Sequence, residues 1–344
     1  MKLLVIGAGS IGARHAANAA PLAETAVVDL DAARAQRAAE AAGVRWFADL
    51  ESSLAWKPEA VIVATPTDRH LEPASAAIEA GAHVLVEKPI AARLDGVAAL
   101  LAKAESHGRK LFVGCNMRFH PAVKALRQGL AAAGRPLTAR AYFGHYLPNM
   151  RPNVDYRTVY AAHAAQGGGV ILDCIHEIDY LAWLFGPVVA VTAAAGHLSD
   201  LEIAADDFAV LVLRHDSGVV SILHLDYMQR LKRRGCEIVG SQATLLWESE
   251  GKQPERCVVR ALETARTAIL YESADLPGNE PYVEELRAFL AAIEGASAPL
   301  LDGATATAEL AVALAAQESA RSGRTVEIEP RTAMSASARA AKAK

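Results

Sequence analysis

Lys88 stands directly after the apolar run His83-Val84-Leu85-Val86 and Glu87, and directly before Pro89. A lysine where a buried strand ends can hydrogen-bond a hydroxyl or carbonyl oxygen and stabilise negative charge developing there. Pro89 biases Lys88 away from helix and so keeps the ammonium on an extended segment. The alternative is a solvated lysine before a proline turn. Asp173 and His176 form a second group, in Gly167-Gly168-Gly169-Val170-Ile171-Leu172-Asp173-Cys174-Ile175-His176. On one helix over roughly 170–185, Asp173, His176 and Tyr180 sit at i, i+3 and i+7, opposite a stripe of Ile171, Ile175, Ile178, Ala182 and Phe185. Imidazole is the natural general base near neutral pH, and a carboxylate one turn away can orient it and stabilise its charged form. An exposed polar face is the alternative for this trio. No matching ligand set lies elsewhere, so no metal is expected.

A third group opens the chain. Gly7-Ala8-Gly9-Ser10-Ile11-Gly12 follows an apolar run and precedes an alanine-rich amphipathic stretch, and Asp29 closes a second apolar run 17 residues after Gly12. Strand, glycine turn, helix, strand and acid are the parts of a dinucleotide-binding unit. Gly7 permits the turn, Gly9 lets backbone approach a pyrophosphate, and Gly12 lets helix pack on strand. Free N–H groups at Ser10 and Ile11, with the positive end of the helix dipole, suit the phosphates. The Asp29 carboxylate can accept from ribose hydroxyls and would repel a 2′-phosphate, and Leu30 beside it offers no cation. NAD is therefore expected over NADP.

These residues need elements to hold them. Strand and helix signals alternate to about residue 120: a helix between Asp31 and Gly43, a strand at Val61–Ala64 stopped by Thr65-Pro66, a helix from Leu71 to Ala80, and strands at His83–Val86 and Leu111–Val113. Apolar strands alternating with helices predict a doubly wound parallel sheet. Ligands bind beyond the carboxyl ends of such strands, which singles out the glycine turn, Thr65-Pro66 and Glu87-Lys88-Pro89. Beyond residue 120 the signals become strands with hairpin turns, as at Asp216-Ser217-Gly218 and Gly240-Ser241, and two helices close the fold. The expected division is a dinucleotide-binding domain over 1–120, an α+β domain with a large, mostly antiparallel sheet over 121–330, and a disordered tail over 331–344. Between them, Tyr142, His145, Tyr146, Arg151, Asp155, Tyr156, Arg157 and Tyr160 crowd one segment and suit a polyhydroxylated or anionic ligand. The run Arg230, Lys232, Arg233, Arg234 reads as a solvated turn, with a carboxylate or diphosphate seat as the alternative.

Bulk properties exclude several classes. The chain has 344 residues, a net charge of −4 and 22% charged residues, ordinary for a globular protein of about two domains. Arg331–Lys344 carries four basic groups and no acid, so no basic body points to nucleic acid or to a membrane surface. No apolar stretch is long enough to span a bilayer, and the apolar run before the first turn is too short to be expected as a signal peptide. Cys115, Cys174, Cys236 and Cys257 lack paired spacing and read as buried hydrophobes in a reducing compartment, with a reactive Cys174 as the alternative. The expected address is the cytoplasm.

Taken together, the motifs resemble those of the Gfo/Idh/MocA oxidoreductases, over about residues 1–325. The resemblance is carried by Gly7-x-Gly9-x-x-Gly12, Thr65-Pro66 with His70, Glu87-Lys88-Pro89, Asn116-x-Arg118-Phe119-His120-Pro121, and Gly167-Gly168-Gly169 followed by Asp173, His176 and Asp179. It implies a Rossmann domain followed by a substrate domain whose open sheet often mediates oligomers, here a homodimer or homotetramer. It implies Lys88 as the active-site lysine, His176 as proton acceptor and Asp173 as its helper. Thr65, Pro66, His70 and Glu87 then belong beside the cofactor, and Asn116, Arg118, Tyr146 and Arg157 beside a sugar-like substrate. Two residues separate Asp173 from His176 where the family more often has three, and both spacings keep the pair on one helix face. The expected activity is hydride transfer between a sugar, cyclitol or sugar-derivative hydroxyl and NAD. The alternatives are an enzyme that retains and recycles NAD through a transient keto intermediate, and a non-catalytic NAD- or sugar-sensing regulator. Lys88 and His176 are expected to meet beside one bound coenzyme.

Overall fold

Strands whose inner residues are apolar must be covered on both faces, and such strands build the centre of the first sheet. The structure, a computed structural model, describes residues 1–251, 255–297 and 300–328. The expected tail, 331–344, lies outside the described residues. The first sheet has seven strands in the order Leu301–Asp302, Leu111–Gly114, His83–Glu87, Ala60–Val63, Lys2–Ile6, Glu24–Val28, Arg45–Phe47. All neighbours are parallel except the Leu301–Asp302 edge, which runs antiparallel to Leu111–Gly114. Leu3, Leu4, Val5, Val27, Val61, Ile62, Val63, Val84 and Val86 are fully buried. The helix Ala32–Ala42 begins where Asp31 accepts a hydrogen bond from the Arg34 N–H and ends at Gly43 with φ +67°, as its sequence signals require.

The second sheet has nine strands in the order Thr267–Leu276, Glu255–Leu262, Thr244–Glu250, Arg233–Gly240, Pro136–Gly144, Val220–Asp226, Phe208–His215, Val188–Gly196, Val326–Glu327. Only Val220–Asp226 and Pro136–Gly144 pair in parallel. Alternate residues point inward: Leu211, Leu213, Leu223, Leu225, Ile238, Leu245, Trp247 and Val259 are buried, and the helix Pro121–Ala133 packs on the strands over 233–276. The other face carries Val212, Val220 and Ile222, each more than a third exposed.

The chain divides into two units in a way the sequence did not indicate. The first holds Met1–Asn116 and Pro281–Thr307; the second holds Met117–Glu280 and resumes at Ala308. The expected second domain, continuous over 121–330, is corrected accordingly. Periodicity reveals which side of the helix Glu280–Ile293 is apolar, but not which sheet that side covers. Among the described residues no helix is long and apolar enough to cross a membrane. All four cysteines are buried, and burial pushes the Cys257 thiol up to about 12, which removes thiolate chemistry from that residue.

Candidate active site

In the first unit, the glycine turn has the shape a dinucleotide requires. Gly7 has φ +96°, and a Cβ there would sit 2.6 Å from the Ala64 carbonyl oxygen; one on Gly12 would sit 1.8 Å from the Gly7 oxygen. Any side chain at these two positions would displace strand or helix. Gly9 differs: a Cβ built on it meets nothing within 4 Å. It caps the helix Ser10–Ala19 with no side-chain hydrogen bond, and Gly9 and Ser10 are exposed, with Ile11 partly so. First-turn N–H groups thus face open space, an anion seat by construction. Asp29 accepts from the Ala8 N–H at 2.7 Å and the Asp31 N–H at 2.8 Å, which fixes the carboxylate at the turn's edge. Arg34 lies 3.8 Å from Asp29 and 3.6 Å from Asp31. Leu30 offers no cation, but the helix brings Arg34 back beside Asp29.

Two buried histidines brace the loops around Lys88. The His70 ring lies 3.0 Å from the Thr65 carbonyl oxygen and 2.9 Å from that of Pro89. It ties the Thr65-Pro66 loop to the lysine loop, and burial lowers its pKa against the pull of both carbonyls. His15 is fully buried and its Nε2 is 2.7 Å from Glu87 Oε1. Glu87 accepts the Lys88 N–H at 3.2 Å, and His15, Lys88 and His70 together hold its carboxyl below the usual range despite burial. A fixed carboxylate therefore sits under a half-buried lysine. Asn116 is buried, with Tyr282 as a partner.

In the second unit the expected continuous helix is two: Val170–Asp173 and Ile175–Phe185, separated at Cys174 with φ −97° and ψ +28°. The helical wheel fails at that break. Asp173 and His176 are partly exposed, whereas Tyr180 is fully buried, edge-on to Trp247 at 6.0 Å. Tyr180 is thus core, and its expected place on the polar face is corrected. Asp173 accepts hydrogen bonds from the hydroxyls of Tyr160 and Tyr227, the latter at 3.0 Å. Burial, with the Asp173 charge beside it, pushes the Tyr227 phenol well up, so it remains a donor. Gly168 and Gly169 allow this arrangement. A Cβ on Gly169, at φ +101°, would lie 2.2 Å from Asp206 Oδ1, and that carboxylate accepts the Ile171 N–H at 3.0 Å and steadies the helix start.

Several expected ligand contacts are engaged inside the protein instead. Arg118 donates to both oxygens of buried Asp179 at 2.6–3.2 Å and lies 3.5 Å from Glu309, because two buried carboxylates require a cation. Arg157 is exposed and held by Asp155 and Glu202. Both guanidiniums are thus engaged by carboxylates of the protein. Tyr146 lies under the Arg230 guanidinium at 3.7 Å. Of the basic run, Lys232 pairs with Glu255 at 2.5 Å and Arg234, partly buried, pairs with Glu177 at 2.8 Å, so the solvated-turn reading holds for neither. Sequence reasoning missed Tyr227, Asp206 and His15 as supports. His15 had a signal, one helical turn after Gly12; a tyrosine or an aspartate at a strand's end has none until the strands are paired.

A glycine-turn Rossmann sheet followed by a strand-borne lysine, with an aspartate-histidine pair in the second unit, defines an oxidoreductase that uses a nicotinamide dinucleotide. Residues 1–115 match the oxidoreductase family described by its NAD-binding Rossmann fold, and residues 123–246 match the GFO/IDH/MocA C-terminal domain. The chain belongs to the Gfo/Idh/MocA oxidoreductase family. It is 31% identical to 1,5-anhydro-D-fructose reductase of Ensifer adhaerens, over 79% of this chain and 80% of that protein. It is 30% identical to inositol 2-dehydrogenase of Rhizobium meliloti, over 94% and 98%. An oxidoreductase from Agrobacterium radiobacter, solved with NAD+, L-tartaric acid and magnesium, shares the fold with a TM-score of 0.82 at 22% identity, covering 97% of this chain and 99% of that one.

Proposed function

We propose that the protein oxidises a secondary hydroxyl of a sugar, cyclitol or sugar derivative, with NAD preferred over NADP. The observation that carries this reading is the Asp173 carboxylate, fixed by two phenols three residues before a partly exposed histidine. His176 takes the hydroxyl proton at Nε2, since its Nδ1 is buried. Asp173, held still by Tyr160 and Tyr227, stabilises the imidazolium that results. Lys88, at the end of its strand, can donate to a hydroxyl or carbonyl oxygen and stabilise its developing charge. The N–H groups at Ser10 and Ile11 hold the pyrophosphate, and Asp29 accepts from the ribose hydroxyls. Thr65, Pro66 and His70 shape the wall beside them. When bound, NAD supplies the hydride acceptor. The relatives named as an anhydrofructose reductase and an inositol dehydrogenase support the substrate class.

The test is a panel of sugars, cyclitols and sugar acids with NAD, read by NADH absorbance. Stoichiometric NADH release is expected with at least one member, and NAD binding without turnover of any member sinks the reading. Cofactor choice has its own test. Asp29→Ala removes the carboxylate and leaves Arg34 beside the ribose site, so the ratio of kcat/KM for NAD over NADP should fall about tenfold or more, the equivalent of ~1.4 kcal/mol. An unchanged ratio would refute the ribose role. For assembly, Val212, Val220 and Ile222 on adjacent strands suit a second copy of this chain, and a monomer mass by light scattering at micromolar protein would end that part.

A further inference from the structure

Within the second unit, Leu147, Met150, Arg151, Tyr156, Tyr160 and Asp173 are among the residues around a small cavity of ≈ 50 Å³. It contains one cation and one anion. The anion, Asp173, is fixed by Tyr160 and Tyr227. The cation, Arg151, is partly buried and has no carboxylate within ion-pair distance among the described residues. Its neighbour six residues on, Arg157, is held by Asp155 and Glu202. The segment therefore carries two arginines, one neutralised by the protein and one left for something else. Tyr160 links the two ends of the cavity. Its hydroxyl is on Asp173, and the Arg151 guanidinium lies 6.0 Å from its ring centroid.

We infer that Arg151 is a specificity residue that seats a carboxylate on the substrate, so that the natural substrate is a sugar acid or cyclitol acid oxidised at a carbon distant from its carboxylate. This rests on the dehydrogenase reading above and names its substrate class. A guanidinium presents two parallel N–H donors that match a carboxylate. One guanidinium balances one charge. A phosphate dianion would leave a surplus charge in a cavity whose other charged group is Asp173. Tyr156 and Tyr160 supply hydroxyls for the intervening carbons.

The test uses the NADH-loaded protein and calorimetry with D-glucuronate, D-galacturonate and D-gluconate, each against its neutral counterpart, and with D-glucose 6-phosphate. At least one acid should bind tenfold or more tighter than its neutral partner. Arg151→Gln should collapse that acid-to-neutral ratio about tenfold, and Arg151→Lys should keep part of it. In turnover with NAD the loss should fall on KM and leave kcat for the acid nearly intact. Equal binding of acids and neutral sugars, a ratio unmoved in Arg151→Gln, or tighter binding of the phosphate ester overturns the inference. The two readings fail separately. Arg151-dependent binding of an acid without oxidation of any panel member leaves the seat standing and removes the dehydrogenase. Oxidation of neutral sugars with no acid bound does the reverse.

Discussion

Lys88→Ala is expected to lower kcat by about 10³-fold, the effect of removing one preorganised donor from a developing oxyanion, while the affinity for NAD stays nearly unchanged. The reason is positional. The elements that hold a dinucleotide are the Gly7–Gly12 turn and Asp29, and neither uses the lysine side chain. The loop itself stays in place in the variant, because His70 grips the Pro89 carbonyl and Glu87 remains paired with His15. Stopped-flow turnover together with NADH fluorescence titration separates the two quantities. Turnover within tenfold of the parent would remove Lys88 from the chemistry, and a parallel loss of NAD affinity would make it a cofactor ligand instead.

Gly12→Ala and Gly9→Ala are expected to diverge. The new methyl at residue 12 would stand 1.8 Å from the Gly7 carbonyl oxygen, so helix and turn must separate. That overpacking should cost on the order of 3 kcal/mol and show as a lowered melting temperature with or without coenzyme. The methyl at residue 9 meets open space, and the observed φ of −68° suits alanine. That variant should melt like the parent and yet bind NAD at least about tenfold more weakly, because its Cβ occupies the approach path of the pyrophosphate. Normal NAD affinity in Gly9→Ala would mean that the turn does not cradle phosphate. Normal stability in Gly12→Ala would mean that the observed helix–strand contact is not the one populated in solution.

Much of the fold was legible because its signals are local. An apolar run before Gly7-x-Gly9-x-x-Gly12, an N-cap at Asp31 and a left-handed glycine at Gly43 each specify backbone geometry within a few residues. The parallel sheet and the hairpins of the second sheet follow from strand composition and turn residues of the same kind. Those signals also place Lys88 at a strand's end and Asp29 at the edge of the turn.

What escaped was set by partners distant in sequence. The Asp173–His176 pair looked like one face of a continuous helix, and only the structure puts the break at Cys174 and turns Tyr180 into the core. Asp173 owes its orientation to Tyr227, 54 residues away and just past the end of the strand Val220–Asp226. Arg118, Arg157 and Arg234 looked available for a ligand until carboxylates at Asp179, Glu202 and Glu177 were brought to them. By itself the sequence determined most element types and the glycine turn, because backbone propensity and short-range spacing are written in consecutive positions. The tertiary structure alone decided which charges are already neutralised and which, like Arg151, have no counter-ion among the described residues, because an ion pair depends on distance in space and not on distance along the chain.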